Sequence, residues 1–135
     1  MNEIKNIWLV NKYAMPPQYE PRLRTIKFAH YLQQMGFYVT VFGSSAMHNM
    51  DLNLIEGNDP FIEKTYNDIH FVHIQVCSYH NTAGFMRIWS ELQFHYRLVR
   101  LAKQFTKPDL IVASTSSQFS NPVLNYARKH DIKYI

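Results

Sequence analysis

Apolar and polar positions alternate along the first third of the chain in an order that predicts strand, helix, strand. An apolar run at 7–10 leads into a polar, proline-containing loop at 11–21. Apolar residues then recur at helical spacing through Arg22–Met35. Gly36 should end that helix, because glycine adopts the left-handed backbone easily, and the β-branched run Val39–Gly43 gives a second strand. This order is a βαβ unit, which builds a parallel sheet with a right-handed crossover.

The rest of the pattern extends the same architecture. The predicted apolar face of the first helix comprises Leu23, Ile26, Phe28, Ala29, Leu32 and Met35. The segments that follow are a loop with at most one short strand at Ser44–Asn67, a strand at Ile69–Val76, the longest helix at Phe85–Phe105, a wholly apolar and therefore buried strand at Leu110–Ala113, a helix to about His130 with Pro122 in its first turn, and a strand starting at Lys133. We therefore predict a doubly wound parallel α/β sheet of the Rossmann-like kind.

Composition narrows the class of protein but does not indicate a particular function. The 135 residues suit one globular domain, with 47% hydrophobic and 18% charged residues. No apolar run approaches the roughly 20 residues of a membrane span, and the first residues lack a signal-peptide pattern. The single cysteine, Cys77, forms no internal disulfide, so we expect a cytoplasmic protein. The formal charge of +4 fits an anionic partner but also an ordinary soluble domain.

Several motifs, taken in order, carry a resemblance to a known family. They are Asn11-Lys12-Tyr13, Pro16-Pro17, Arg22 at the helix start, and the run Met35-Gly36-Phe37-Tyr38-Val39-Thr40-Val41. Together they resemble the amino-terminal domain of GT-B glycosyltransferases, in particular the family 4 retaining enzymes of bacterial polysaccharide assembly. The resemblance covers nearly the whole chain.

The resemblance implies a division of labour between two domains. Residues 1–135 would be an incomplete amino-terminal, acceptor-side domain, and a carboxyl-terminal domain absent from this sequence would bind the nucleotide-sugar donor. The full enzyme would transfer a sugar to a lipid-linked or saccharide acceptor in surface polysaccharide synthesis, for example of lipopolysaccharide, without a cofactor. The fragment alone would be inactive, no catalytic residue can be named, and the enzyme would work in the cytoplasm or peripherally at the inner membrane.

The loop after the first strand is the first candidate binding site, because parallel sheets bind ligands at the carboxyl ends of their strands. A glycine pair of the family is replaced here by Gln18-Tyr19-Glu20-Pro21, which favours contact with the acceptor, or with a phosphate through side chains. Arg22 and Arg24 lie at the helix start, where anions are favoured. The alternative for the loop is a rigid proline turn without a ligand, and the alternatives for the arginines are an ion pair with Glu20 or a position in solvent. Our substrate-binding candidates in this loop are Asn11, Tyr13, Gln18, Tyr19, Glu20 and Arg22.

A second candidate segment follows the buried strand. Thr115, Ser116 and Ser117 carry hydroxyls that can bind sugar hydroxyls or phosphate oxygens, and similar turns line the cleft in the family. The same residue types are preferred helix caps, so capping is the alternative. The two roles are compatible.

The long helix suggests a membrane contact. Arg87, Arg97, Arg100 and Lys103 are interleaved with Phe85, Trp89, Phe94 and Tyr96. Aromatic and basic side chains suit the headgroup level of an anionic bilayer. The alternative is a core helix with a solvated basic face.

Other chemistries lack their signatures. His70 and His73 have an odd spacing that places them on opposite faces of a strand, and an i,i+4 contact with Glu91 explains His95, so we predict no metal site. The sequence has no G-x-G-x-x-G or P-loop motif. We predict no nucleic-acid partner. The competing hypotheses are a stand-alone flavodoxin-like binding or regulatory module and half of a GT-B sugar-nucleotide epimerase.

Overall fold

The computed structural model describes residues 5–11, 24–45, 55, 57, 59–66, 68–76, 85–113 and 121–135. In these residues one sheet contains six strands: β1 Asn6–Val10, β2 Tyr38–Ser44, β3 Phe61–Tyr66, β4 Ile69–Ile74, β5 Leu110–Ala113 and β6 Lys133–Tyr134. The helices are α1 Arg24–Gln34, α2 Phe85–Leu101 and α3 Asn121–Lys129, with a 3-10 turn at Ala102–Gln104. Each predicted strand and helix is confirmed, with ends shifted by a few residues.

The strand order is β3-β4-β2-β1-β5-β6. Every neighbouring pair is parallel except β3 with β4, so the predicted parallel sheet is confirmed and carries one antiparallel edge strand. Among the parallel strands, the first along the chain is central and the next two lie to one side of it, which is the Rossmann order. A flavodoxin-like sheet has its first strand between the second and the third. The flavodoxin-like alternative therefore has the wrong strand order.

Alternating residues of the strands build a core on each face of the sheet. One core contains the α1 residues Ile26 and Ala29 packed on Ile7, Leu9, Val39, Val41, Ile69 and Phe71. The other contains residues of α2 and α3 packed on Trp8, Val10, Phe42, Val72, Ile74 and Ile111. Helices thus cover both faces, as a doubly wound sheet requires.

The apolar face predicted for α1 is partly wrong. Ile26 and Ala29 are buried and Leu32 is half-buried, but Phe28 is 46% and Met35 is 58% exposed. A step of three residues falls about 60° short of a full helical turn. Three such steps from Ile26 therefore bring Met35 to the opposite side of the helix.

Two further predictions concern chain direction and burial. Gly36 has φ 95°, which confirms its role as the left-handed stop after α1. In β5, by contrast, only Ile111 is buried, and Leu110, Val112 and Ala113 are half-buried. Ile111 belongs to one core, and Leu110 and Val112 pack against the other, so the predicted burial on both faces of the sheet is complete on one face and partial on the other.

Hydrogen bonds at the amino ends of β1 and β5 fix their register. The Asp109 carboxylate accepts the backbone N–H groups of Lys5 and Asn6, each at 2.9 Å. These bonds lower the pKa of Asp109 below its ordinary value. The Asn6 side chain donates to the carbonyls of Thr106 and Lys107 at 3.2 and 3.0 Å. The carboxyl ends of the two strands are thereby held level as well.

Candidate functional site

The strand order reverses between β1 and β5, and the crevice outside such a reversal is where open α/β sheets bind ligands. Val10 and Ala113, the last residues of these strands, are register partners. The loops that carry the candidate residues therefore start side by side. Asn11 is half-buried, and its backbone N–H donates to the Phe42 carbonyl at 3.0 Å, which extends the β1–β2 ladder by one residue.

Most of the candidate side chains lie outside the described residues. These are Tyr13, Gln18, Tyr19, Glu20, Arg22, Thr115, Ser116 and Ser117. Arg24 begins α1, but its side chain is outside the description as well. The described structure brings together the starts of the two loops, and the roles of their side chains stay predictions.

Buried serines join the carboxyl ends of β2 and β4. The Ser45 N–H donates to the Ile74 carbonyl at 2.9 Å, and the Ser45 hydroxyl accepts the Val76 N–H at 3.1 Å. Ser44 and Ser45 are both almost fully buried. These bonds continue the pairing of β2 and β4 beyond the last ladder residues at this edge of the sheet.

His73 on β4 is fully buried and has a fixed tautomer. Its Nδ1 lies 3.2 Å from the Ser44 carbonyl oxygen, which can only accept, so Nδ1 carries the proton. Its Nε2 then accepts from the Tyr66 hydroxyl at 3.3 Å. Burial lowers the pKa of His73 to about 4, against the smaller opposing effect of the Ser44 bond. His73 is therefore a neutral structural residue at neutral pH.

The histidines of β4 were considered as metal ligands in the sequence, and the prediction was that they form no metal site. His70 is half-buried on the opposite face from His73, as predicted, and lies 3.1 Å from the Glu63 carboxylate. Within the described ranges, no three histidine, cysteine, aspartate or glutamate residues come together as a metal site would require. Cys77 lies outside those ranges.

The core-facing side of α2 is unexpectedly polar. Ser90 and His95 are fully buried and Glu91 is 7% exposed, beside the apolar Phe94 and Leu98. His95 Nδ1 donates to the Glu91 backbone carbonyl at 2.9 Å, so the predicted i,i+4 contact exists but involves the backbone. We missed this buried polar group in the sequence. The sequence signal that could have shown it is a second set of residues at helical spacing on α2, offset around the helix axis from the more apolar set.

The outward side of α2 is correspondingly apolar. Phe85 is 75%, Trp89 45% and Tyr96 62% exposed, with Ile88 and Leu92 also exposed. We call Phe85, Ile88, Trp89, Leu92 and Tyr96 the outer stripe. Phe94, which we had grouped with the membrane-facing aromatic residues, is fully buried and is not part of it.

The basic residues of the helix lie beside and beyond this stripe. Arg100 follows Tyr96 by four residues, which keeps it near the same face of α2, and Lys103 lies in the 3-10 turn that follows; both are exposed. Arg97 is half-buried and donates from Nη1 to the Gln75 carbonyl at 2.7 Å. The Arg87 side chain is outside the description. No helix in the described part of the chain is both long and apolar enough to span a bilayer.

Comparison with solved structures identifies the fold. The chain is similar to the catalytic domain of starch synthase IV from Arabidopsis thaliana, bound to ADP and acarbose, with a TM-score of 0.64 and 13% sequence identity. The similarity covers 98% of this chain and 33% of that one. At this identity the likeness shows the fold: the chain has the same doubly wound α/β fold as one third of that catalytic domain. No protein-family profile and no curated protein matches the sequence.

Proposed function

We propose that this chain is the acceptor-side domain of a GT-B glycosyltransferase. The observation that carries the proposal is the structural likeness to a glycosyltransferase catalytic domain over nearly the whole chain. The Rossmann strand order supports it, because it creates a ligand crevice where the loops after β1 and β5 begin. At 13% identity the likeness establishes the fold, and the activity is our inference from it.

The proposed reaction is transfer of a hexosyl group from a nucleotide sugar to a lipid-linked or saccharide acceptor in bacterial surface polysaccharide synthesis. The chain spans one third of its structural neighbour, which was bound to ADP. We assign the nucleotide to a second domain of a longer protein and the acceptor to this one. The acceptor contacts would come from the loop residues predicted above, with Arg22 at the start of α1 placed to meet an anionic group.

The experiment is a transfer assay with the full-length protein. It would be incubated with a panel of UDP-, GDP- and ADP-sugars and with saccharide and lipid-linked acceptors, and products would be detected by mass spectrometry. Glycosylated product from one donor supports the proposal. Donor hydrolysis or epimerisation without transfer, or no turnover of any donor, would contradict it and would favour the epimerase or a non-enzymatic binding module.

Substitution of Arg22 tests the placement of the acceptor site. Arg22→Ala should lower turnover by about tenfold or more, the loss expected for one charge-assisted hydrogen bond, while the melting temperature stays nearly unchanged. Arg128→Ala, an exposed arginine of α3, is the matched control and should keep full activity. A lower melting temperature with unchanged turnover would make Arg22 a structural ion-pair partner.

A second proposed property follows from the outer stripe. Its aromatic and aliphatic side chains are exposed, and the basic residues Arg100 and Lys103 extend the same region. Such a combination suits the headgroup region of an anionic membrane, where each basic residue contributes about 1 kcal/mol. We assign the outer stripe to peripheral membrane contact. A lipid-linked acceptor would then reach the crevice by diffusion within the membrane plane.

A further inference from the structure

A cleft of about 450 Å³ opens between the C-terminal half of α2 and the end of β4, and none of its described lining residues belongs to the loops after β1 and β5. Among the described residues, those that line it are Pro60, Gln75, Arg97, Arg100, Leu101 and Gln104. Its volume lies in the range of small-molecule sites. None of these lining residues, all within the described part of the chain, is acidic.

The wall of this cleft is held by a chain of hydrogen bonds. The Gln75 N–H donates to the Pro60 carbonyl at 3.0 Å, and the Gln75 side chain donates to the Gly57 carbonyl at 2.7 Å. Arg97 Nη1 donates to the Gln75 carbonyl at 2.7 Å. The guanidinium is thus anchored through one nitrogen, and that bond does not use its other N–H donors. A fixed guanidinium loses little conformational entropy when it binds an anion.

Charge accumulates on one side of the cleft. Arg97 and Arg100 are three residues apart on α2, where side chains are neighbours, and like charges at this spacing destabilise a helix. Gln104 lies four residues after Arg100 and adds an amide. An anion between the two guanidinium groups would remove their repulsion. Leu101 and Pro60 provide apolar surface for the remainder of a ligand.

We propose that this cleft binds a phosphate group, as a phosphomonoester or a diphosphate. Two guanidinium groups match the charge of a phosphate dianion, and the planar guanidinium fork fits its oxygen atoms. The inference does not depend on the glycosyltransferase proposal. A free phosphorylated metabolite and a lipid headgroup carry the same phosphate chemistry, so the experiment has an arm for each source.

The first arm uses calorimetric titration of the purified protein with inorganic pyrophosphate. Arg97→Gln and Arg100→Gln should each weaken binding by about tenfold, as expected for loss of a charge-assisted hydrogen bond. Arg128→Gln removes the same charge from the exposed surface of α3 and should leave the affinity unchanged. An equal loss in all three variants would show a general charge effect and would overturn the proposal.

The second arm compares vesicles that carry phosphatidic acid with vesicles of equal surface charge that carry phosphatidylserine. Phosphatidic acid carries a phosphomonoester and phosphatidylserine a phosphodiester. A headgroup phosphomonoester in the cleft therefore predicts a preference for phosphatidic acid that Arg97→Gln abolishes, whereas contact through the outer stripe alone predicts equal binding. A preference here without pyrophosphate binding assigns the cleft to a lipid headgroup. Absence of both pyrophosphate binding and the lipid preference overturns the phosphate site.

Loss of fold is controlled separately, because Arg97 supports the Gln75 backbone. Circular dichroism and the melting temperature identify a misfolded variant. Arg100 is exposed, so Arg100→Gln decides the pyrophosphate arm by itself if Arg97→Gln does not fold. Arg97→Lys keeps the charge but loses the planar fork, and it should recover only part of the affinity.

Discussion

Both sides of α2 depart from the pattern expected of a helix packed on a sheet, although Phe94 and Leu98 are buried on the core-facing side. The core-facing side buries Ser90, Glu91 and His95, and the solvent side exposes Phe85, Trp89 and Tyr96. Leaving a large apolar side chain exposed forgoes about 1.5–3 kcal/mol. Folding stability alone does not account for the exposed aromatic side, which we propose to be a membrane-contact surface.

The largest difference between the two sides should appear on removal of an aromatic ring. Phe94→Ala should lower the free energy of unfolding by about 3–5 kcal/mol, because the ring is fully buried in the core against α3 and the sheet. Trp89→Ala removes a larger ring from the outer stripe and should change stability by less than about 1 kcal/mol. Urea unfolding of both variants measures this. Equal losses would mean that the outer stripe is part of the folded core.

His73 is a buried polar residue of the sheet, and it should make the free energy of unfolding depend on pH. Because its pKa falls from 6.5 to about 4 on folding, the unfolded chain binds more protons between these values. Its contribution is complete above about pH 6.5 and is lost as the pH falls towards 4, by up to roughly 3 kcal/mol in total.

The measurement for His73 is urea unfolding at a series of pH values. His73→Gln should flatten the decline of stability between pH 6.5 and about 4. His130→Gln, at an exposed position after α3, should keep the wild-type slope. A His73→Gln curve parallel to wild type would show that His73 is solvated and titrates normally.

Ser90 should give the smallest effect, in the opposite direction. Its buried hydroxyl has no hydrogen-bond partner among the described residues. Ser90→Ala should therefore raise the free energy of unfolding by up to about 1 kcal/mol, since it removes a desolvated polar group and improves helix propensity. Thermal unfolding monitored by circular dichroism measures the change. A loss of stability would show that the hydroxyl bonds to a part of the chain outside the described ranges.

The order of the elements could be predicted because it depends on local signals. Gly36 ends α1 through its left-handed backbone, and Pro122 fits the first turn of α3, as their residue types require. The antiparallel edge strand β3 was expected only as one short strand within a long loop. Its residues Glu63, Lys64 and Thr65 are exposed, so its sequence lacks the apolar alternation of a buried strand.

The orientation of α2 could not be predicted, because two sets of residues at helical spacing compete on this helix. Apolar content favours the set with Trp89 and Tyr96, but the set with Phe94 and Leu98 faces the core. Hydrophobic spacing predicts a helix and not which side the sheet covers. The cleft beside Arg97 could not be predicted from the sequence either, since it depends on a contact with Gln75, 22 residues away in sequence.

The most direct test of the assignment of the outer stripe is co-sedimentation with vesicles, using matched aromatic variants. Trp89→Ser/Tyr96→Ser alters outer-stripe side chains that are 45% and 62% exposed, and Phe28→Ser/Tyr31→Ser alters side chains of α1 that are 46% and 62% exposed. We predict that wild type and the α1 variant bind vesicles containing anionic lipid and dissociate as salt is added. The affinity of the α2 variant for the same vesicles should be lower by a factor of about ten or more. Equal binding by the two double variants, or equal binding of wild type to neutral and anionic vesicles, would contradict the membrane role of the outer stripe.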